Sequence, residues 1–126
     1  MQGIQSFFLT GQCNASGVST FSAPSKFAGW IYAVEWYGTG LGDSASPILK
    51  ISSTKIPGSV RNVLALVTAS ATANNVYRPR VSEQSNAGAD LGTYTLPYIA
   101  PYEQMVLTIA SGGLNKTGGC IVHYFE

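Results

Sequence analysis

Between Glu103 and Phe125 the chain reads EQMVLTIA, SGGLNKTGG and CIVHYF, two runs on either side of a glycine-rich connector. In the first run Met105, Leu107 and Ile109 alternate with Gln104, Thr108 and Ala110. Successive side chains of a strand point to opposite faces, so a period of two with one apolar set describes a strand with one buried face. In the second run Cys120, Val122 and Tyr124 alternate with Ile121, His123 and Phe125, which makes both faces partly apolar. Gly112, Gly113, Gly118 and Gly119 are expected to supply the positive φ angles of a reversing backbone. The pattern predicts a β-hairpin with a long loop, its second strand ending the chain inside a sheet.

The remaining segments follow the same period. Residues 1–11 predict an edge strand or an arm lying across a neighbouring subunit, and residues 17–21 a short strand before Pro24. The run AGWIYAVEWY, residues 28–37, is dense in aromatic and β-branched residues, which favours a strand. Residues 48–52 alternate again, and Ile56-Pro57-Gly58 is a turn signal. Residues 60–68 form the most apolar run and predict a strand covered on both faces; residues 69–75 read as a polar connection. VYRPRV, residues 76–81, is extended because Pro79 restricts Arg78 and cannot donate to a ladder. Residues 82–93 read as a loop, and Tyr94, Leu96, Tyr98 and Ile99 as a short strand broken by Pro97. Eight or nine short strands with Gly/Pro punctuation predict a single-domain, all-β antiparallel sandwich. Residues 1–27 form its N-terminal arm and first short strands, and residues 28–126 its body.

Composition narrows the function classes. A chain of 126 residues fits one domain. Charged residues make up 10%, so the surface must be covered by Ser, Thr, Asn, Gln, Gly and Tyr. Neutral, tyrosine-bearing surfaces suit lasting protein contacts, where charges are costly to desolvate. A net charge of +1 argues against a nucleic-acid partner, which needs a clustered basic patch. No apolar run approaches the roughly 20 residues of a membrane span, and no signal peptide is expected. Cys13 and Cys120 lack metal-ligand spacing and read as small buried apolar residues.

Read in order, the chain carries GWIYAVEWY, PILKIS, RNVLAL, VYRPR, a Gly/Asp loop, LPYIAPYEQMVLTIASGG and GGCIVHYF. This series resembles small virion proteins of tailed bacteriophages, most of all capsid decoration (cement) proteins. The likeness covers residues 28–126 and is sharpest at Tyr77, Pro79, Arg80 and the Gly112-Gly113 pair. It implies a jelly-roll-like sandwich on the outer capsid surface of the virion, assembled in the bacterial cytoplasm. It also implies a homotrimer bound to the major capsid protein, with no cofactor and free cysteines, since that compartment is reducing. The rival expectation is a phage tail or fibre module recognising a receptor or glycan.

Tyr77, Arg78 and Arg80 form the one concentrated basic site, read either as an edge that docks partner carboxylates or as solvated charge pairing with Glu83 or Asp90. Trp30, Trp36, Tyr32 and Tyr37, with Tyr94, Tyr98 and Tyr102, read either as a sugar-stacking platform, as an interface anchor set or as core. Trp30 and Trp36 are expected in the core, while the tyrosines beside Pro97 and Pro101 are expected at a surface that anchors a partner. His123, the only histidine, reads as a strand histidine satisfied by its neighbours. An enzyme would require a pocket joining it to an acid and a nucleophile, and no enzymatic activity is expected.

Overall fold

The computed structural model describes residues 3–22, 28–53, 55, 56, 58 and 60–126. Pro24 and Pro57, two of the expected breaks, lie outside the described residues. Among these residues are eleven strands and one four-residue helix. The strands are β1 Gln5–Gln12, β2 Ser19–Ser22, β3 Gly29–Tyr37, β4 Ser46–Ser52, β5 Val60–Ala65 and β6 Asn74–Tyr77. They continue with β7 Val81–Gln84, β8 Asp90–Thr95, β9 Tyr98–Ile99, β10 Gln104–Ala110 and β11 Thr117–Phe125, and helix α1 is Thr68–Ala71. The fold is an antiparallel β-sandwich. One sheet runs β1-β11-β3-β6 with β9 also paired to β3, the other runs β2-β10-β4-β5, and β7 pairs with β8 alone.

The core lies between the two sheets. Leu9, Ile31, Val34, Trp36 and Val122 from the first sheet meet Leu49, Ile51, Met105, Leu107 and Ile109 from the second. In β4 and β10 these are the apolar sets of the period-two runs turned inward, while in β3 the inward side changes set between Ile31 and Val34. Trp36 is 1% exposed, and its indole N–H donates to the Ala71 carbonyl at 2.9 Å. Helix α1 brings that carbonyl over the core, so a buried polar tip has a partner.

The predicted hairpin of residues 103–125 does not form. Strand β10 pairs with β2 and β4, while β11 pairs with β1 and β3. Met105, Leu107 and Ile109 therefore face Cys120 and Val122 across the core, and the connector steps from one sheet to the other. Of its glycines only Gly113 has a positive φ, 93°, shared with the non-glycines Ser111 and Asn115. Gly112 is needed for closeness instead, since a Cβ there would lie 2.6 Å from Cys13 Sγ. Its N–H donates to Gly17 O and its carbonyl accepts from Gly42 N–H, both at 2.8 Å, which ties three loops together.

Four other expectations change. Residues 60–65 form an edge strand, paired on one side by β4 and mostly exposed, not a strand covered on both faces. The expected polar connection of residues 69–75 holds most of α1 and the start of β6. The expected loop of residues 82–93 is largely the β7–β8 hairpin, closed by Ser85 N–H to Ala89 O at 2.8 Å and by Gly88 at φ 84°. Trp30 is 44% exposed rather than core, because it lies on the outer face of β3. Residues 5–12 are the edge strand of the first sheet, their backbone paired to β11 within the same chain.

Candidate functional site

The outer face of the first sheet gathers side chains from four strands. Antiparallel register places Ser6 opposite His123, Phe8 opposite Ile121, and Ile121 opposite Glu35. Ser6 Oγ lies 2.6 Å from His123 Nδ1, and His123 Nε2 lies 3.2 Å from Glu35 Oε1. The Tyr37 O–H donates to Glu35 Oε2 at 2.7 Å. Hydrogen bonds from Tyr37 and His123 hold the Glu35 carboxyl below the ordinary carboxylate range. The bond to Glu35 pushes the Tyr37 phenol up. In the neutral ring, Nε2–H donates to Glu35 and Nδ1 accepts from the Ser6 hydroxyl. His123 is thus joined to an acid and a hydroxyl, as a hydrolytic relay would need. The three lie on an open sheet face, and none of them lines the hollow beside them. What the relay does in this geometry is fix Tyr37: three residues, Ser6, His123 and Glu35, on three strands hold its phenolic end.

That hollow, of about 840 Å³, extends along the same face past the relay. Thr10, Gly119, Tyr37 and Asn74 form one row across β1, β11, β3 and β6. Gly119 lets β1 lie close against β11, since a Cβ there would lie 2.4 Å from the Leu9 carbonyl oxygen and force β1 away. Phe8, 64% exposed, and Tyr37 supply the aromatic surfaces.

A second cluster occupies the opposite end of β3. Trp30 and Tyr98 stack at a tilt, with ring centroids 4.7 Å apart, where β9 pairs with the start of β3. Seven residues at about 3.3 Å each put Trp30 about 23 Å from Tyr37 along the strand. Arg61 Nη2 donates to Tyr98 O at 3.0 Å and to Glu103 Oε1 at 3.1 Å, while Nη1 donates to Glu103 Oε2. Glu103, only 5% exposed, also accepts from Ala100 N–H at 2.9 Å. The Arg61 guanidinium, helped by that amide, holds the Glu103 carboxyl below its ordinary value against the opposing effect of burial. Nothing in the sequence spacing announces either this pair or the Ser6–His123–Glu35 relay, since both depend on which strands become neighbours.

The residues singled out from the sequence divide between surroundings. Tyr98 and Tyr102 are exposed at the second cluster, and Tyr94, 68% exposed, stands on the β7–β8 hairpin. Tyr77 is half-buried and packs against the core, so it is a packing residue more than an anchor. Arg80 is exposed and donates to Pro79 O at 2.7 Å and Tyr32 O at 3.4 Å. Neither Arg78 nor Arg80 pairs with Glu83 or Asp90 among the described residues, and Asp90 accepts instead from Gln84. Arg61 and Glu103 are the members of the second cluster that the sequence did not single out, and Trp30, expected in the core, joins them at the surface. Among the described residues no group of three or more His, Cys, Asp or Glu side chains could hold a metal ion. No helix among them is long and apolar enough to cross a membrane. Compared with protein-family models, curated proteins and solved structures, the chain matches none.

Proposed function

We propose that this protein is a capsid decoration (cement) protein of a tailed bacteriophage, acting as a homotrimer that binds the major capsid protein and bridges shell subunits. The observation that carries the reading is the β7–β8 hairpin. Every residue of its two strands is exposed except Thr95, and Val81, Leu91 and Tyr94 present apolar surface to water. A two-stranded hairpin is marginal by itself, and exposed apolar groups on such an arm favour a partner that covers them. Trp30, Tyr98 and Tyr102 continue apolar and aromatic surface at the same end of β3 as the arm's base, where Trp30, Arg61, Val81 and Tyr98 border a cleft of about 390 Å³.

Two further features support it. With β7, β8 and β9 set aside, the sheet orders β1-β11-β3-β6 and β2-β10-β4-β5 leave two four-stranded antiparallel sheets, as the proposed jelly roll, a fold common in viral capsid proteins, would need. The scarcity of charge leaves attachment to apolar and neutral-polar contacts. A trimer would multiply weak contacts, because each one after the first is effectively intramolecular. Electron cryo-imaging of the virion tests the reading: added density outside the head shell is expected, and a position on the tail or fibre overturns it.

A further inference from the structure

The hollow on the outer face of the first sheet lies at the far end of β3 from the proposed docking arm, so its chemistry is independent of that reading. Its lining contains no charged side chain. Thr10, Thr39, Thr117, Gln12 and Asn74 instead supply hydroxyls and amides. Phe8 and Tyr37 add exposed aromatic surface, and Gly118, half-buried, and Gly119, buried, put no side chain between them.

Two of the amides are fixed by bonds of their own. Asn74 Oδ1 accepts from Gly38 N–H at 3.0 Å and Thr39 N–H at 3.3 Å, which settles which end of the amide is oxygen and leaves its NH₂ to donate. Gln12 Nε2 donates to Asn115 O at 3.0 Å, leaving Oε1 to accept. Tyr37 is locked through Glu35 by the His123–Ser6 relay. A donor, an acceptor and an aromatic wall are therefore held in place before anything binds, which lowers the ordering cost of binding. The row from Thr10 to Asn74 crosses three strand spacings, about 14 Å.

We propose that this hollow binds a neutral oligosaccharide, stacked on Tyr37 and hydrogen-bonded by Asn74 and Gln12. A sugar ring offers an apolar face to an aromatic side chain and hydroxyls that donate and accept at its rim. It carries no charge for the hollow to balance. The extended row fits a chain of rings better than one.

The test applies the full-length protein to an array of neutral glucose-, galactose-, mannose- and N-acetylglucosamine-based oligosaccharides, with sialylated and sulfated counterparts. Binding to at least one neutral oligosaccharide is expected. Tyr37→Ala and Asn74→Asp should each weaken it about tenfold or more, the loss of one good contact. Asn74→Asp keeps the acceptor that holds Gly38 and Thr39 but removes the NH₂ donor. Tyr94→Ala, on the arm, should leave binding unchanged. For wild type, the bound oligosaccharide should shift the amide resonances of Gly118, Gly119 and Ile121, a readout that needs no variant. Binding to acidic glycans only, to none, with equal affinity by both variants, or with shifts elsewhere overturns the proposal. Self-association that Tyr37→Ala abolishes, with no sugar bound, overturns it in favour of a second copy.

Discussion

Arg61 and Glu103 meet through two hydrogen bonds that fasten the edge strand β5 to the turn between β9 and β10. The partners are unequal, since the Arg61 side chain is half exposed while that of Glu103 is almost enclosed. Removing the arginine strands a buried carboxylate; removing the acid leaves a cation that water can reach. Arg61→Met should therefore destabilise the fold by about 3 kcal/mol, the range for a broken buried pair. Adding Glu103→Gln to that variant should restore part of the loss, because the uncompensated charge is gone. A double-mutant cycle in urea checks this, and strictly additive losses would show that the two residues do not interact.

The same pair sets an acid limit. Glu103 has a folded-state pKa below its ordinary value of 4.5, so its contribution is fully present above that value. It is lost as pH falls through the lower, folded value, because the unfolded chain takes up the proton first. Thermal midpoints of wild type should drop as pH falls below about 4.5 and those of Glu103→Gln should drop less. Equal slopes for the two proteins would remove Glu103 from the account.

Cys13 and Cys120 are free thiols buried in the core, and burial pushes the Cys120 thiol up to about 12. The thiolate is the reactive form, so native protein at pH 8 should react negligibly with an aromatic disulfide reagent. In urea, without reductant, both thiols should react. Fewer than two thiols per chain in urea would indicate oxidation.

The sequence was most legible where one face of a strand is buried. Strands β3, β4 and β10 show their period because Val34 and Trp36, Leu49 and Ile51, and Met105, Leu107 and Ile109 all turn inward. That period tells which face is buried and not which sheet covers it. Strands β10 and β11, adjacent in sequence and both inward-facing, thus read as a hairpin although they meet across the core. Strands β7 and β8 were invisible for the opposite reason, since with no buried face they have no apolar period. Trp30 and Trp36 lie on one strand and looked alike. Their even spacing should have put both on one side, but the bulge opposite His123 and Tyr124 shifts the alternation between them. The relay and the Arg61–Glu103 pair were illegible because each joins single residues from distant segments through strand register alone. Proline crowding was the useful surface signal: Tyr98 and Tyr102, beside Pro97 and Pro101, are both exposed.

The proposed attachment to the capsid through the apolar hairpin is open to a capsid-binding titration. Wild type and the double variant Leu91→Ser/Tyr94→Ser are titrated onto assembled phage capsids lacking the protein, at 0.1 M and 1 M salt. That change shortens the Debye length from roughly 10 Å to 3 Å and weakens exposed ion pairs. Wild type should bind at both salts with little change in affinity. Losing two exposed apolar anchors should weaken binding at least tenfold, with the fold unchanged because neither side chain reaches the core. No wild-type binding, release by salt, or equal binding by the variant would contradict the account.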